Sequence, residues 1–306
     1  MPLLTYDEIT PNQVGGSIRE DLLDFMEILS PRDTPLYNNL GSLSVHAGYV
    51  EYLEDTLTAA AENAWAEGVA ASDPILGVPT RNVSIVQNFQ KHFHVSGRQS
   101  AVLHAGMSSM IAHQEMKAVR EIKTDIELTL HRGTATTGNS NVAAKLNGFL
   151  NLANAATFTS QSGTTLTEAI FNSVAAAAYN NPINLRECYL GMNLKRTVNQ
   201  FTTSVTRYIP AGDRRQLDII DVYEAEMGVI ALFKSRYQLS TTPVLGGESF
   251  IIIDPDYFQV GWLRPLVSQT LGLDGDRERR MIVGELTLIA RSGNGYVGSD
   301  RLIDAI

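Results

Sequence analysis

Between Met107 and Leu130, apolar residues recur at three- and four-residue steps, at Met107, Ile111, Ala118, Val119, Ile122, Ile126 and Leu130, with no Gly or Pro among them. That period predicts one uninterrupted helix. Lys117 with Glu121 and Lys123 with Glu127 place opposite charges four residues apart on its outer face, and Gly133 just past Arg132 supplies the stop. At 1.5 Å rise per residue it spans roughly 36 Å, about the width of a small domain, so other elements are expected to hang along it. We call it the spine. Taken alone, the segment also fits an ordinary core helix of a globular protein.

The flanking patterns are different. Ser17 with Glu20 forms a capping box, and Ile18, Leu22, Phe25, Met26 and Leu29 make the apolar stripe of a helix ended by Pro31. Thr34 as cap, Pro35 at the first position and Gly41 past the end mark a second, short helix. Val45 to Leu57 alternates in part, and Ala59 to Ala71 is Ala-rich around Trp65, Glu67 and Gly68. A turn through Asp73, Pro74, Gly77 and Pro79 leads into Val83 to Val95, which alternates as one strand. Residues 46–97 thus read as a long hairpin-like excursion that leaves the core and returns.

Beyond the spine, residues 132–148 are rich in turn formers, and Phe149 to Phe158 is apolar again. Thr165 with Glu168 forms a capping box for a helix through Ile170, Phe171, Val174, Ala178 and Tyr179 that Pro182 ends. Cys188 to Met192 reads as a buried strand and Leu194 to Phe201 as a helix. Ile219 to Tyr223 and Val229 to Phe233 read as a strand pair turning at Gly228, and Phe250 to Ile253 as a short apolar strand. Trp262 to Pro265 and a long strand from Arg280 to Ala290, preceded by a turn from Leu273 to Asp276, complete a mixed sheet. The expected class is α+β.

With 306 residues, 44% hydrophobic and 19% charged, the chain has the length of about two domains and can bury a sizeable core. Cys188 is its one cysteine, which excludes an intrachain disulfide framework, fits a reducing compartment and reads as a small buried hydrophobe. No secretory signal pattern and no membrane-length apolar run is present, so a soluble protein, intracellular when made, is expected. Charge is unevenly placed. Residues 1–75 carry 13 Asp or Glu against Arg19 and Arg32, a balance of −11 within a net −9, which leaves +2 for the remainder. That distribution argues against a nucleic-acid reader with one dominating basic face. It allows an acidic first quarter to lie against a neighbouring copy, and equally a solvated acidic face that serves solubility.

No segment carries recognisable catalytic chemistry. Gly293, Gly295 and Gly298 match G-x-G-x-x-G, but too few residues follow for the helix and strand of a dinucleotide fold. Walker loop, nucleophile elbow and zincin motifs are absent. All six His (His46, His92, His94, His104, His113, His131) lie in one stretch, and His92 with His94 would share a strand face at metal-ligand spacing. With no obvious third ligand they read as surface or interface imidazoles, and no metal or cofactor is expected. Asp274 and Asp276 read as a turn, too short a pair for an EF-hand.

The order of an acidic arm, long loop, spine, mixed domain and returning strands resembles the tailed-phage major capsid proteins of the Hong Kong 97-like fold. SPRDTPLYNNLG (Ser30 to Gly41) is similar to the family's arm segment. VEYLEDTL with the following EG (Val50 to Gly68) and RNVSIVQNFQKHFHVSG (Arg81 to Gly97) resemble the two sides of its extended loop. SGTTLTEAIFN (Ser162 to Asn172) resembles the opening of its axial domain, and WLRPL with GDRERRMIVGELTL (Trp262 to Leu288) its closing peripheral-domain strands.

The resemblance implies an N-terminal arm at 1–45, an extended loop at 46–97, a peripheral domain with the spine at 98–164 and 243–306, and an axial domain at 165–242. It implies a subunit without catalytic role that ties into pentamers and hexamers, and then into an icosahedral shell enclosing packaged double-stranded DNA without sequence-specific binding. A portal protein and separate scaffolding and decoration proteins would be its partners, since the chain starts directly with the arm. The shell would be assembled in the host cytoplasm, with no membrane. Leu22 and Phe25 on the arm, Leu57 and Trp65 on the loop and Arg264 near the returning strands are the candidate assembly contacts, because large apolar groups and Arg dominate interface energetics. Some members cross-link through a loop Lys, but residues 46–90 contain none and Lys91 lies at the loop's base, so no covalent mesh is expected. Three other readings stay open: a cellular nanocompartment shell around a cargo enzyme, a soluble enzyme, and a phage tail or receptor-binding protein.

Overall fold

The computed structural model describes residues 34–55, 57, 60–70, 77–102, 109–152, 158–160, 163–179, 184, 186–201, 222–225, 228–238, 248–272, 275–292 and 295–302. The described residues begin with helix α1 (Pro35–Asn39) and strands β1 (Gly41–Ser44), β2 (Tyr49–Glu54), β3 (Thr80–Ile85) and β4 (Gln87–Ser96). Helices α2 (Gly97–Ala101), α3 (Met110–Arg132) and α4 (Phe149–Leu152) follow, then β5 (Phe158–Ser160), α5 (Glu168–Tyr179), β6 (Glu187–Leu190) and α6 (Met192–Gln200). Strands β7 (Val222–Ala225), β8 (Gly228–Lys234), β9 (Glu248–Ile253), β10 (Phe258–Leu271), β11 (Arg277–Ala290) and β12 (Tyr296–Leu302) complete it. Among the described residues the strands form a four-stranded sheet in the order β1-β10-β11-β4, a six-stranded sheet β5-β12-β9-β6-β8-β7, and a two-stranded ribbon β2-β3.

The spine is α3. It starts at Met110 because the Ser109 hydroxyl accepts the Ala112 N–H at 3.4 Å, and it closes where the Gly133 N–H donates to the Thr129 carbonyl at 2.7 Å. Ala118, Ile122, Ile126 and Leu130 form its buried stripe and join one core with Phe89 of β4, Val260 of β10 and Ile282 and Leu286 of β11. A second core gathers Phe171 and Val174 of α5, Leu194 and Val198 of α6 and Ile230 and Leu232 of β8. Strand β9 belongs to both: Ile251 and Ile253 enter the spine core, Phe250 and Ile252 the other, and all six of its residues are buried. Burial on both faces is what turns the usual alternation into a continuous apolar run. The neighbouring β6 repeats the division, with Tyr189 on the spine side and Cys188 and Leu190 on the other.

Several expectations need correction. Val83 to Val95 is not one strand: β3 pairs with β2, the chain breaks at Val86, and β4 pairs with β11. The apolar positions stay odd-numbered across the break (Val83, Ile85, Phe89, Phe93, Val95), but the buried side switches: Ser84 and Val86 are buried where Val83 is exposed, whereas Phe89 and Val95 are buried in β4. Thr34 makes no side-chain cap on α1. The acceptor is Glu127, which was read as lying on the outer face of the spine but is fully buried and accepts the Leu36 and Tyr37 N–H groups at 3.1 and 2.8 Å. His131, one turn on and read as a surface or interface imidazole, is buried as well, with its Nε2 at 3.2 Å from Glu127 and 2.9 Å from the Ser235 hydroxyl. Thr165 is not the cap of α5, since the Thr167 hydroxyl accepts the Ile170 N–H at 3.3 Å. The helix read at Ile18 to Leu29, with Leu22 and Phe25, and the start of the strand read from Ile219 lie outside the described residues.

Candidate assembly surfaces

The ribbon of β2 and β3 is antiparallel, with Tyr49 opposite Ile85 and Glu54 opposite Thr80. Such a pair is marginal by itself and needs an apolar surface to lie on. Its base is pinned where the Val86 N–H donates to the Gly48 carbonyl and the Thr287 hydroxyl to the Ile85 carbonyl, at 3.0 and 2.8 Å. At its far end the Ser292 hydroxyl donates to Glu54 at 3.2 Å. Past that point the apolar side chains are open to solvent: Leu57 is 99% exposed, Val78 87% and Trp65 61%. The Trp65 Nε1–H donates to Asn63 Oδ1 at 2.5 Å, and a turn follows in which the Val69 N–H donates to the Ala66 carbonyl. Gly68 occupies its third position at φ +83°, which a type II turn reserves for Gly.

Leu57 and Trp65 therefore share one solvent-exposed loop, whereas Arg264 is on the four-stranded sheet. Its guanidinium donates to Glu285 of β11 at 2.6 Å, beside two irregularities in the β10 register, and stays half exposed. Met192, read as the end of a buried strand, instead stands exposed at the first position of α6, since β6 ends at Leu190; Val222 of β7 and Val229 of the adjoining β8 are exposed as well. Val229, Ile230 and Ala231 of β8 are all apolar, so no polar alternation in the sequence marks Val229 as the exposed one.

A model of the SU10 major capsid protein family matches residues 5–297. The chain belongs to this family. Its members are structural capsid proteins and not enzymes, and the fold is the Hong Kong 97-like fold of tailed-phage capsids. A major capsid protein of Escherichia phage Phieco32 is 28% identical over 115 residues, a stretch that spans 37% of this chain and 33% of that protein. Among solved structures, the capsid asymmetric unit of cyanophage A-1(L) superposes with a TM-score of 0.70 at 10% identity, covering 93% of this chain and 97% of that one. The capsid of a native GTA particle gives 0.69 at 10% identity over 96% and 98%, and the holo-SrpI encapsulin of Synechococcus elongatus PCC 7942 gives 0.62 at 10% identity over 94% and 92%.

In this capsid subunit Lys91 is already engaged. Its ammonium lies 3.0 Å from Asp125 and 3.9 Å from Glu121 of the spine. His92 and His94 do share a strand face, but the residues opposite them on β11 are Met281 and Arg279, so a guanidinium stands where a third ligand would be needed. Burial pushes the Cys188 thiol far above its ordinary range, which makes it a packing group and not a nucleophile. No helix among the described residues is long and apolar enough to cross a membrane.

Proposed function

We propose that the subunit assembles through pentamers and hexamers into a closed icosahedral shell around the packaged double-stranded DNA of a tailed phage. The observation that carries this is the ribbon and its loop, which hold Leu57, Trp65 and Val78 in solvent on a two-stranded element that gains stability only against another surface. In this reading residues 1–45 are the arm, 46–97 the extended loop, 98–164 and 243–306 the peripheral domain and 165–242 the axial domain. Arm and loop lie over neighbouring copies, and Leu22, Phe25, Leu57, Trp65 and Arg264 make contacts there. A portal protein closes one vertex, and scaffolding and decoration proteins act from separate chains. DNA is contained without sequence-specific binding, in keeping with a net charge of −9. Assembly takes place in the host cytoplasm. The engagement of Lys91 by the spine supports a shell held without covalent cross-links.

The likeness to an encapsulin favours one second reading, a nanocompartment that holds a cargo protein. Sedimentation velocity with negative-stain microscopy on the purified protein tests both. Shells or five- and six-fold rings support the proposal, and nucleic acid inside them separates capsid from nanocompartment. A compact monomer that resists proteolysis throughout 46–97 overturns it.

A further inference from the structure

The described residues start at Thr34, and Thr34 and Pro35 line a groove of about 670 Å³ between α1, α6 and the end of β8. Leu232, Phe233 and Met192 give it an apolar surface, and Met192 is 68% exposed. Arg196 and Lys234 are exposed beside them, and neither is paired with a carboxylate among the described residues. None of the described residues lining the groove is acidic. Lys195 belongs to its wall, buried with its ammonium donating to the Leu232 carbonyl at 3.2 Å. Both helical walls are held by buried carboxylates. Glu127 accepts the first N–H groups of α1, and Glu248 accepts the Leu194 N–H at 3.1 Å and the Asn193 amide at 2.8 Å at the start of α6. The groove is therefore preformed.

Its complement lies in the residues that lead into it. In a helix over Ser17 to Leu29, Ile18, Leu22, Phe25, Met26 and Leu29 fall on one side, Asp21 borders them, and Glu20, Asp24 and Glu27 stand behind. Those four carboxylates against Arg19 leave a net −3. Only residues 30–33 separate Leu29 from Thr34, a reach of at most about 17 Å. Phe25, Met26 and Leu29 therefore come within range of the groove of their own chain. A helix is about 10 Å across, so its outer carboxylates stay within about a Debye length of Arg196 and Lys234. Tethering at this distance gives an effective concentration on the order of millimolar, enough to fill the groove through a weak contact. A phosphate backbone would satisfy the two cations but leave Met192 and Phe233 uncovered.

We propose that in the unassembled subunit this groove holds the chain's own acidic segment 17–29, with Phe25, Met26 and Leu29 on Met192, Leu232 and Phe233 and the net negative charge beside Arg196 and Lys234. The subunit then keeps its arm stripe covered until a neighbouring copy is there to take it. The contact itself is independent of the shell reading, and only its handover to a neighbour rests on that reading.

The test is chymotryptic cleavage at Leu22 and Phe25 of the full-length subunit, held below the concentration at which particles form. R196E/K234E reverses the rim charge and Met192→Asp removes the apolar edge; all three side chains are exposed, and thermal melting checks the fold. Each variant is expected to speed cleavage about tenfold with unchanged melting, because cleavage follows the population of the released segment. Adding D21K/D24K to R196E/K234E should restore most of the protection. Wild type cut as fast as a synthetic peptide of residues 15–33, or equal rates in wild type and both variants, overturns the proposal. Protection that grows with protein concentration puts the segment in a neighbouring copy's groove and overturns it too. So does protection unchanged by R196E/K234E together with lost binding of duplex DNA, which assigns the two cations to phosphate. Shell formation enters none of these outcomes, so the contact and the shell reading fail separately.

Discussion

Replacing Glu127 by Ala is the most informative single change in the spine. The carboxylate is fully buried and accepts the N–H groups of Leu36 and Tyr37 at 3.1 and 2.8 Å, with His131 Nε2 at 3.2 Å. Hydrogen bonds to a charged acceptor contribute about 1.5–3 kcal/mol each, and a buried donor left without one costs about 1–3 kcal/mol. Breaking one side of such a buried network gives a net loss of about 3–5 kcal/mol. Glu121→Ala is the control on the same helix: its carboxylate is 3.9 Å from both Lys91 and Lys117 and half exposed, so its loss costs below about 1 kcal/mol. Glu127→Gln falls between, because one oxygen then serves two donors. The assay is urea unfolding of the unassembled subunit, combined with amide exchange at Leu36 and Tyr37. Those two amides should lose protection in Glu127→Ala and keep it in Glu121→Ala. Equal destabilisation by the two alanine variants, or protected amides at Leu36 and Tyr37 without Glu127, refutes the reasoning.

Trp65→Ala should weaken assembly by about 3–4 kcal/mol per contact, from roughly 150 Å² of newly buried ring at 25 cal/mol per Å², while subunit melting stays put; a fall in subunit melting with assembly intact makes Trp65 an internal packing group. The Cys188 thiol, held protonated by burial, should resist a thiol reagent at pH 8 in the folded subunit and react at once in denaturant; reaction of the native protein at the rate of a free thiol contradicts its burial. A denaturing gel of mature particles should show only the single-chain band, and a ladder of covalent multimers overturns the non-covalent shell.

Which of these features the sequence carried depends on where each residue's partner lies. The spine was legible because its period refers only to itself, and β9 because burial on both faces leaves an apolar run wherever the partners are. Glu127 was not, since its spacing from Lys123 is that of a surface pair, and the amides it holds are 90 residues away. The split of Val83 to Val95 at Val86 was hidden because β3 and β4 keep one alternation while changing sheets. Strand β12 was missed because Gly293, Gly295 and Gly298 were weighed only as a dinucleotide motif and rejected, although Tyr296 and Val297 sit in the two cores. His92 and His94 were correctly placed on one face, but Arg279 opposite them becomes visible only through the pairing of strands distant in sequence. The exposure of Leu57 and Trp65 follows from the reading of 46–97 as an excursion.

Two pairings in the sheets join strands made far apart in time: β1 runs parallel to β10, with Gly41 beside Gln259, and β5 runs parallel to β12, with Phe158 beside Gly298. On a ribosome adding about 5–20 residues per second, the partner of Gly41 appears about 10–40 s after it. Through that interval both sheets have an open edge, and such non-local closure is intrinsically slow. A chain cut short anywhere before Tyr296 never acquires the strand that covers β9, and keeps an apolar edge that chaperones and proteases engage. Closure of the six-stranded sheet over β9 therefore waits for residues 296–302, long after β9 itself has been made.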